Sequence, residues 1–66
     1  MNRLEMALEH IARGSGYSWD LTTLLGLGIP VSMPLRRKLL AGATTREDAE
    51  QLRRLARERL ETNLRR

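Results

Sequence analysis

Glycine divides this chain into segments. Gly14-Ser15-Gly16, then Gly26-Leu27-Gly28 ahead of Pro30, then Gly42 interrupt it at intervals that leave room for short elements only, until the uninterrupted stretch after Thr44. Glycine ends helices by taking up left-handed backbone that other residues avoid, and proline forces the residue before it out of helical geometry. No segment alternates apolar and polar residues with the period of a strand. The sequence therefore predicts an all-α fold: a small bundle of three short helices near residues 2–13, 18–26 and 33–41, and one long C-terminal amphipathic helix over 45–64, in a single helical domain spanning 1–66.

Each segment carries its own start signal. Asn2 is placed to cap free amides, with Glu5 three positions on as in a capping box. Ser18 is expected as the second N-cap, with Asp20 in the first turn, where the helix dipole favours an anion. Ser32 opens the third helix with Pro34 in its first turn, and Thr44 with Glu47 forms a second capping box before the long helix. Leu4, Ala7, Leu8 and Ile11 recur at helical spacing, and Glu9 precedes Arg13 by one turn.

Size then sets the energetic problem. A chain of 66 residues buries only about 60% of its unfolded surface, so small folds lean on disulfides, metals, regular helix packing or self-association. Cysteine is absent, which removes disulfides and thiolate ligands and fits a reducing, cytoplasmic setting. No apolar run approaches the ~20 residues of a membrane span, and the first residues lack the apolar core of a signal peptide, so no membrane partner is expected.

Self-association finds its surface on the long helix. At about 100° per residue, Ala49, Leu52, Leu55, Ala56 and Leu60 share one half of the cylinder, and Asp48, Arg59 and Asn63 fall inside the same arc. Polar groups inside an apolar seam fix register in paired helices. An antiparallel homodimer that set Leu52 against Leu55 would also set Asp48 against Arg59, so Asp48, Leu52, Leu55, Ala56, Arg59, Leu60 and Asn63 are the expected dimerisation residues.

Catalytic equipment is sparse. His10 is the single histidine and stands beside Glu9; the serines have no histidine–acid partners in view, and there is no HExxH motif or Cys/His cluster. The glycine groups lack the spacing and lysine of a phosphate loop. No enzyme activity, no metal and no cofactor is expected.

Charge and aromatics give the remaining candidates. Residues 1–31 hold two Lys/Arg against three Asp/Glu, a net −1, and residues 32–66 hold ten against five, a net +5. Within the basic half, Arg36-Arg37-Lys38 lie in one short helix; on the wheel Arg36 falls among Leu35, Leu39 and Leu40, whereas Arg37 and Lys38 face away. Tyr17 and Trp19 are the only aromatic residues and flank the start of the second helix. Trp19 is expected either to seal the core between the first and last helices or to anchor a partner, since Trp, Tyr and Arg carry much of the energy of interfaces.

The stretch "LTTLLGLGIPVSMPLRRKLLAG" resembles a helix-turn-helix in length and order. Taking Gly26 as the turn glycine places Thr22 and Ser32 where small and apolar residues belong; taking Gly28 places Pro34 and Arg37 at buried positions. "LLGLGIP" and "REDAEQL" are similar in placement to the ubiquitin-associated three-helix fold, with Ile29 where that fold has a loop aromatic. Both likenesses are the shared grammar of small three-helix units.

The functional expectation is a small non-enzymatic interaction protein. It would act as a regulator or inhibitor, of the accessory kind found in bacteria and phages, binding an acidic patch on a larger protein through Tyr17, Trp19, Arg36, Arg37 and Lys38. The alternatives are a DNA- or RNA-binding regulator using residues 18–42, and a structural oligomerisation module built on the long helix.

Overall fold

The computed structural model describes residues 2–64, with side chains through Glu61. It contains four helices: α1 (Arg3–Ala12), α2 (Ser18–Gly26), α3 (Met33–Leu40) and α4 (Arg46–Leu64). Among the described residues there is no strand, and no helix is long and apolar enough to cross a membrane. α1 packs against α4 and α2, and α2 against α3.

Glycine ends the three short helices in one way. Gly14, Gly28 and Gly42 have φ of 72°, 79° and 68°. In each case the next amide reaches back to a carbonyl inside the last turn: Ser15 to His10 at 2.9 Å, Ile29 to Leu24 at 3.0 Å, Ala43 to Lys38 at 2.8 Å. This is the Schellman arrangement, in which two carbonyls left over at the helix end are satisfied. At the second stop, Ile29 and Leu24 also meet in the core, adding the apolar contact that accompanies the motif.

Two of these turns abut. A Cβ on Gly14 would stand 3.1 Å from the Thr44 carbonyl oxygen and 3.5 Å from that of Gly42. Gly14→Ala therefore meets both a left-handed backbone and a rigid carbonyl. It should cost at least ~1 kcal/mol and lower Tm by several degrees. Gly26→Ala, whose Cβ meets nothing within 4 Å, should be neutral or stabilising in the same melt.

The starts differ from the sequence reading at three places. At α1, Asn2 Oδ1 accepts the Glu5 amide at 2.8 Å as expected. The Glu5 carboxylate, however, leaves the box and takes both ends of the Arg53 guanidinium, at 2.9 and 3.0 Å, tying α1 to α4. At α2 the capping position is Tyr17, not Ser18, and the Asp20 carboxylate accepts the Tyr17 amide at 2.8 Å.

At α4 the box is formed one residue later than expected. Thr45 N–H donates to the Asp48 carboxylate at 2.9 Å, and the Asp48 amide donates to Thr45 Oγ1 at 3.3 Å. Thr44 is instead buried against the glycine turns, and its Oγ1 makes no hydrogen bond among the described residues. Thr44→Val keeps the shape and removes that buried hydroxyl, so it should raise stability by up to ~1 kcal/mol in a denaturant titration.

The core is aliphatic. Leu8 and Ile11 of α1, Leu24 of α2, Leu39 of α3, and Ala49, Leu52 and Ala56 of α4 close around Ile29 and Val31 from the α2–α3 connector. The small Ala49 and Ala56 allow close approach along the α4 stripe. Leu4, Ala12, Leu21, Leu35 and Leu55 pack on this core from its edges.

The Glu5–Arg53 pair adds a pH dependence. Hydrogen bonding to Arg53 holds the Glu5 carboxyl below its ordinary value of 4.5 and raises Arg53 in return. A depressed carboxyl contributes stability above its unfolded pKa and loses it as pH falls through the folded one. Both side chains are about two-fifths exposed, so solvent screens the pair and the contribution is small. The Tm difference between wild type and Glu5→Gln should shrink as pH is lowered from 4.5; a pH-independent difference would assign the effect to packing.

Candidate functional site

The site is built outward from one acid. Asp20, in the first turn of α2, is only 4% exposed. Besides capping Tyr17, its carboxylate lies 3.0 and 3.2 Å from His10 Nδ1 on α1. A carboxylate accepts only, so Nδ1 is the donor. The contact joins the two helices and fixes the imidazole ring.

The aromatic residues continue from that ring. Tyr17 meets His10 edge-on, with centroids 5.6 Å apart and planes at 89°. Trp19 stacks on Tyr17 at 4.6 Å and 26°. The sequence Asp20, His10, Tyr17, Trp19 thus runs from a buried anchor to the surface. Trp19 is 61% exposed and Tyr17 50%.

Trp19 therefore does not seal the core. That space is filled by Leu8, Leu24 and Leu39, and Gly16 brings its backbone against Leu39 and Ile11, leaving the indole outside. Beside it, Trp19, Met6, Arg3, Thr22 and Thr23 line an open cleft of about 370 Å³ between α1 and α2. Met6 is 46% exposed. The thioether and Arg3 extend the apolar and basic character of the surface onto α1, a contribution absent from the sequence reading. Periodicity signalled it only weakly, because Met6 lies next to the buried Ala7 on α1.

The three α3 cations take different settings. Arg36 is half-buried, and its Nε donates to the Val31 carbonyl at 2.9 Å. Lys38 lies 3.5 Å from Asp48 across the α3–α4 turn, and Arg37 is exposed. Lys38 lines a cleft with Pro34, Leu35 and Gln51, whereas Trp19 lines the cleft on α1 and α2. The expected aromatic centre with a rim of Arg36, Arg37 and Lys38 is thus divided: Arg3 is the basic residue of the Trp19 cleft, and the α3 cations serve elsewhere.

The α4 residues expected at a dimer seam also divide. Leu52 is 1% exposed and Ala56 4%, so both are already spent in the chain's own core. Asp48 caps α4 and pairs with Lys38. Leu55 is half-buried at the core edge, the Arg59 guanidinium lies beside Gly28, and Leu60 is 56% exposed. The side chain of Asn63 lies outside the described residues. The wheel correctly grouped the apolar face, but α1 covers its centre, which leaves Leu55, Arg59 and Leu60 as the described remainder of that seam.

Among the described residues no group of three His, Cys, Asp or Glu is placed to hold a metal ion. No protein-family model, curated protein or solved structure matches the chain.

Proposed function

We propose that the protein is a small helical interaction protein, acting by binding rather than catalysis, that regulates or inhibits a larger protein through the Tyr17–Trp19 surface. One observation carries this reading: both aromatic side chains of the chain stack on each other in solvent, on a support buried at Asp20. Aromatic rings bury about 150–250 Å² each at about 25 cal/mol/Å², so leaving these two half out forfeits on the order of 4–6 kcal/mol. A fold this short has little stability to spare. Rings stacked on each other at the surface are suited to anchor a partner, because Trp and Tyr carry much of the energy of interfaces and a stacked pair presents its area in one arrangement.

Trp19→Ala tests it. The indole is exposed, so the melt should move little, by about the 0.5–1.5 kcal/mol of one aromatic stack. Capture of a protein partner from the native host should fall by ~30-fold or more, the loss typical of an interfacial hot spot. Equal capture by wild type and variant would remove the anchor. Capture abolished by nuclease would instead favour nucleic acid, a reading the fold supports less. Residues 27–32 separate α2 from α3, longer than a helix-turn-helix connection, and two of the three α3 cations are engaged within the chain.

A further inference from the structure

The Asp20–His10 contact joins α1 to α2 and also fixes the tautomer of the imidazole. The Asp20 carboxylate, 4% exposed, lies 3.0 and 3.2 Å from Nδ1 and can only accept, so a ring proton sits on Nδ1. In the neutral ring Nε2 then carries a lone pair. That atom reaches solvent. The hydrogen bonds of the fold to this ring go to Nδ1, and among the described residues the buried side-chain nitrogen or oxygen left without a partner is Thr44 Oγ1, not Nε2. The His10 side chain is 28% exposed and lines the open cleft of about 370 Å³. We propose that His10 Nε2 is a phosphoryl-acceptor site, modified by a donor whose phosphoryl group is held by nitrogen or by an acyl oxygen.

The surroundings suit an incoming phosphoryl group. A nucleophilic imidazole is oriented by a partner on its other nitrogen, and a carboxylate there raises its basicity. Arg3 lines the same cleft and forms no ion pair among the described residues, so a cation stands on the side from which phosphoryl oxygens would enter. The nearby acids are occupied. Glu9, next to His10 in sequence, is held by Arg13 at 2.7 Å, and the Asp20 oxygens face Nδ1 and the Tyr17 amide.

The step balances without a further reactant. The Nε2 lone pair forms the new P–N bond, while the donor's bond to phosphorus breaks and its electron pair leaves with the atom that held the group. In phosphoramidate that nitrogen is already fully protonated and leaves as ammonia. The ring keeps its Nδ1 proton and becomes cationic, and the Asp20 carboxylate facing it stabilises that charge. A phosphoryl group on Nε2 would also add negative charge to the cleft that Trp19 lines. The acceptor chemistry itself needs no partner on the Trp19 surface, so it stands or falls separately from that reading.

The test incubates the full chain with phosphoramidate near neutral pH and follows phosphorus and imidazole NMR, with N-acetylhistidine in the same tube. A single phosphoryl group should add, on Nε2 and not on Nδ1. His10→Asn, which keeps a donor for Asp20, should take up none. An amide both donates and accepts, so Asp20→Asn should release the tautomer and give product on both nitrogens. Arg3→Ala, at an exposed position, should slow the reaction about threefold, the range of a solvated charge contact, and Arg3→Lys should restore most of the rate. Circular dichroism checks that each variant is helical before reaction. The proposal is overturned if the chain stays unmodified while N-acetylhistidine is phosphorylated, or if the wild-type product forms on Nδ1. Wild-type rate and selectivity in both Arg3→Ala and Asp20→Asn overturn it as well.

Discussion

Leu52→Ala should leave this protein partly unfolded at room temperature. The side chain is 1% exposed at the middle of α4 and meets Leu8, Ile11 and the connector residues Ile29 and Val31 in one cluster. Truncating such a leucine costs about 2–5 kcal/mol through lost transfer free energy and the cavity left behind. A chain of 66 residues has about 3–10 kcal/mol of total stability at 0.05–0.15 kcal/mol per residue. The loss therefore takes a large share of the whole, and Tm should fall by ~10–30 °C. Leu60→Ala on the same helix removes an exposed side chain and should cost much less. Concentration decides between core and seam. Because Leu52 packs within its own chain, the deficit should be the same in dilute and concentrated solution; a Tm that rises with wild-type protein concentration, and no longer does so in Leu52→Ala, would place this residue in a dimer.

The helices were legible because their ends were. Gly14, Gly28 and Gly42 each had to take up positive φ, and a residue so constrained marks its position whatever the tertiary structure. Helix starts were less legible, since "TTRED" offers two capping boxes in adjacent registers. Burial of Thr44 against the Gly14 turn chooses the second, and that contact joins segments far apart in sequence. The α4 stripe was likewise read correctly as one apolar face. What covers it was not, because a helical wheel shows which residues share a side and cannot show whether α1 or a second chain lies on it.

The candidate site was legible in its residues and not in its geometry. Tyr17 and Trp19 stood out by scarcity alone. Whether Trp19 lay inside or outside depended on the rotation of α2 about its axis, which is set by Asp20 reaching His10 and by Gly16 closing on Leu39. Arg36 was grouped by the wheel with Leu35, Leu39 and Leu40, of which Leu39 is buried and Leu40 is 67% exposed. The partner of Arg36 is a main-chain carbonyl five residues back, an acceptor that no side-chain pattern reveals.

Asp20→Ala should cost more than any of the other polar substitutions, and it links stability to the surface of the molecule. The change removes the acceptor of the Tyr17 amide, a capping contact of about 0.5–2 kcal/mol, and with it the acceptor for His10. A hydrogen bond to a charged group contributes ~1.5–3 kcal/mol, and the two losses share one carboxylate and do not simply add. A total of about 2–4 kcal/mol follows. Asp20→Asn keeps one oxygen for the Tyr17 amide and should cost less. A double-mutant cycle with His10→Ala should return a coupling of at least ~0.5 kcal/mol, since the side chains touch. The optical signature matters as much as the energy. Tyr17 is held between the His10 ring and the Trp19 stack, so freeing the imidazole should weaken the near-UV circular dichroism of the aromatic pair at temperatures where the helices remain folded. If Asp20→Ala melts within ~0.5 kcal/mol of wild type, as an ordinary surface change does, the acid is no anchor. If it destabilises while the aromatic signal stays intact, the stack is self-supporting and the Trp19 surface owes its order to the two rings alone.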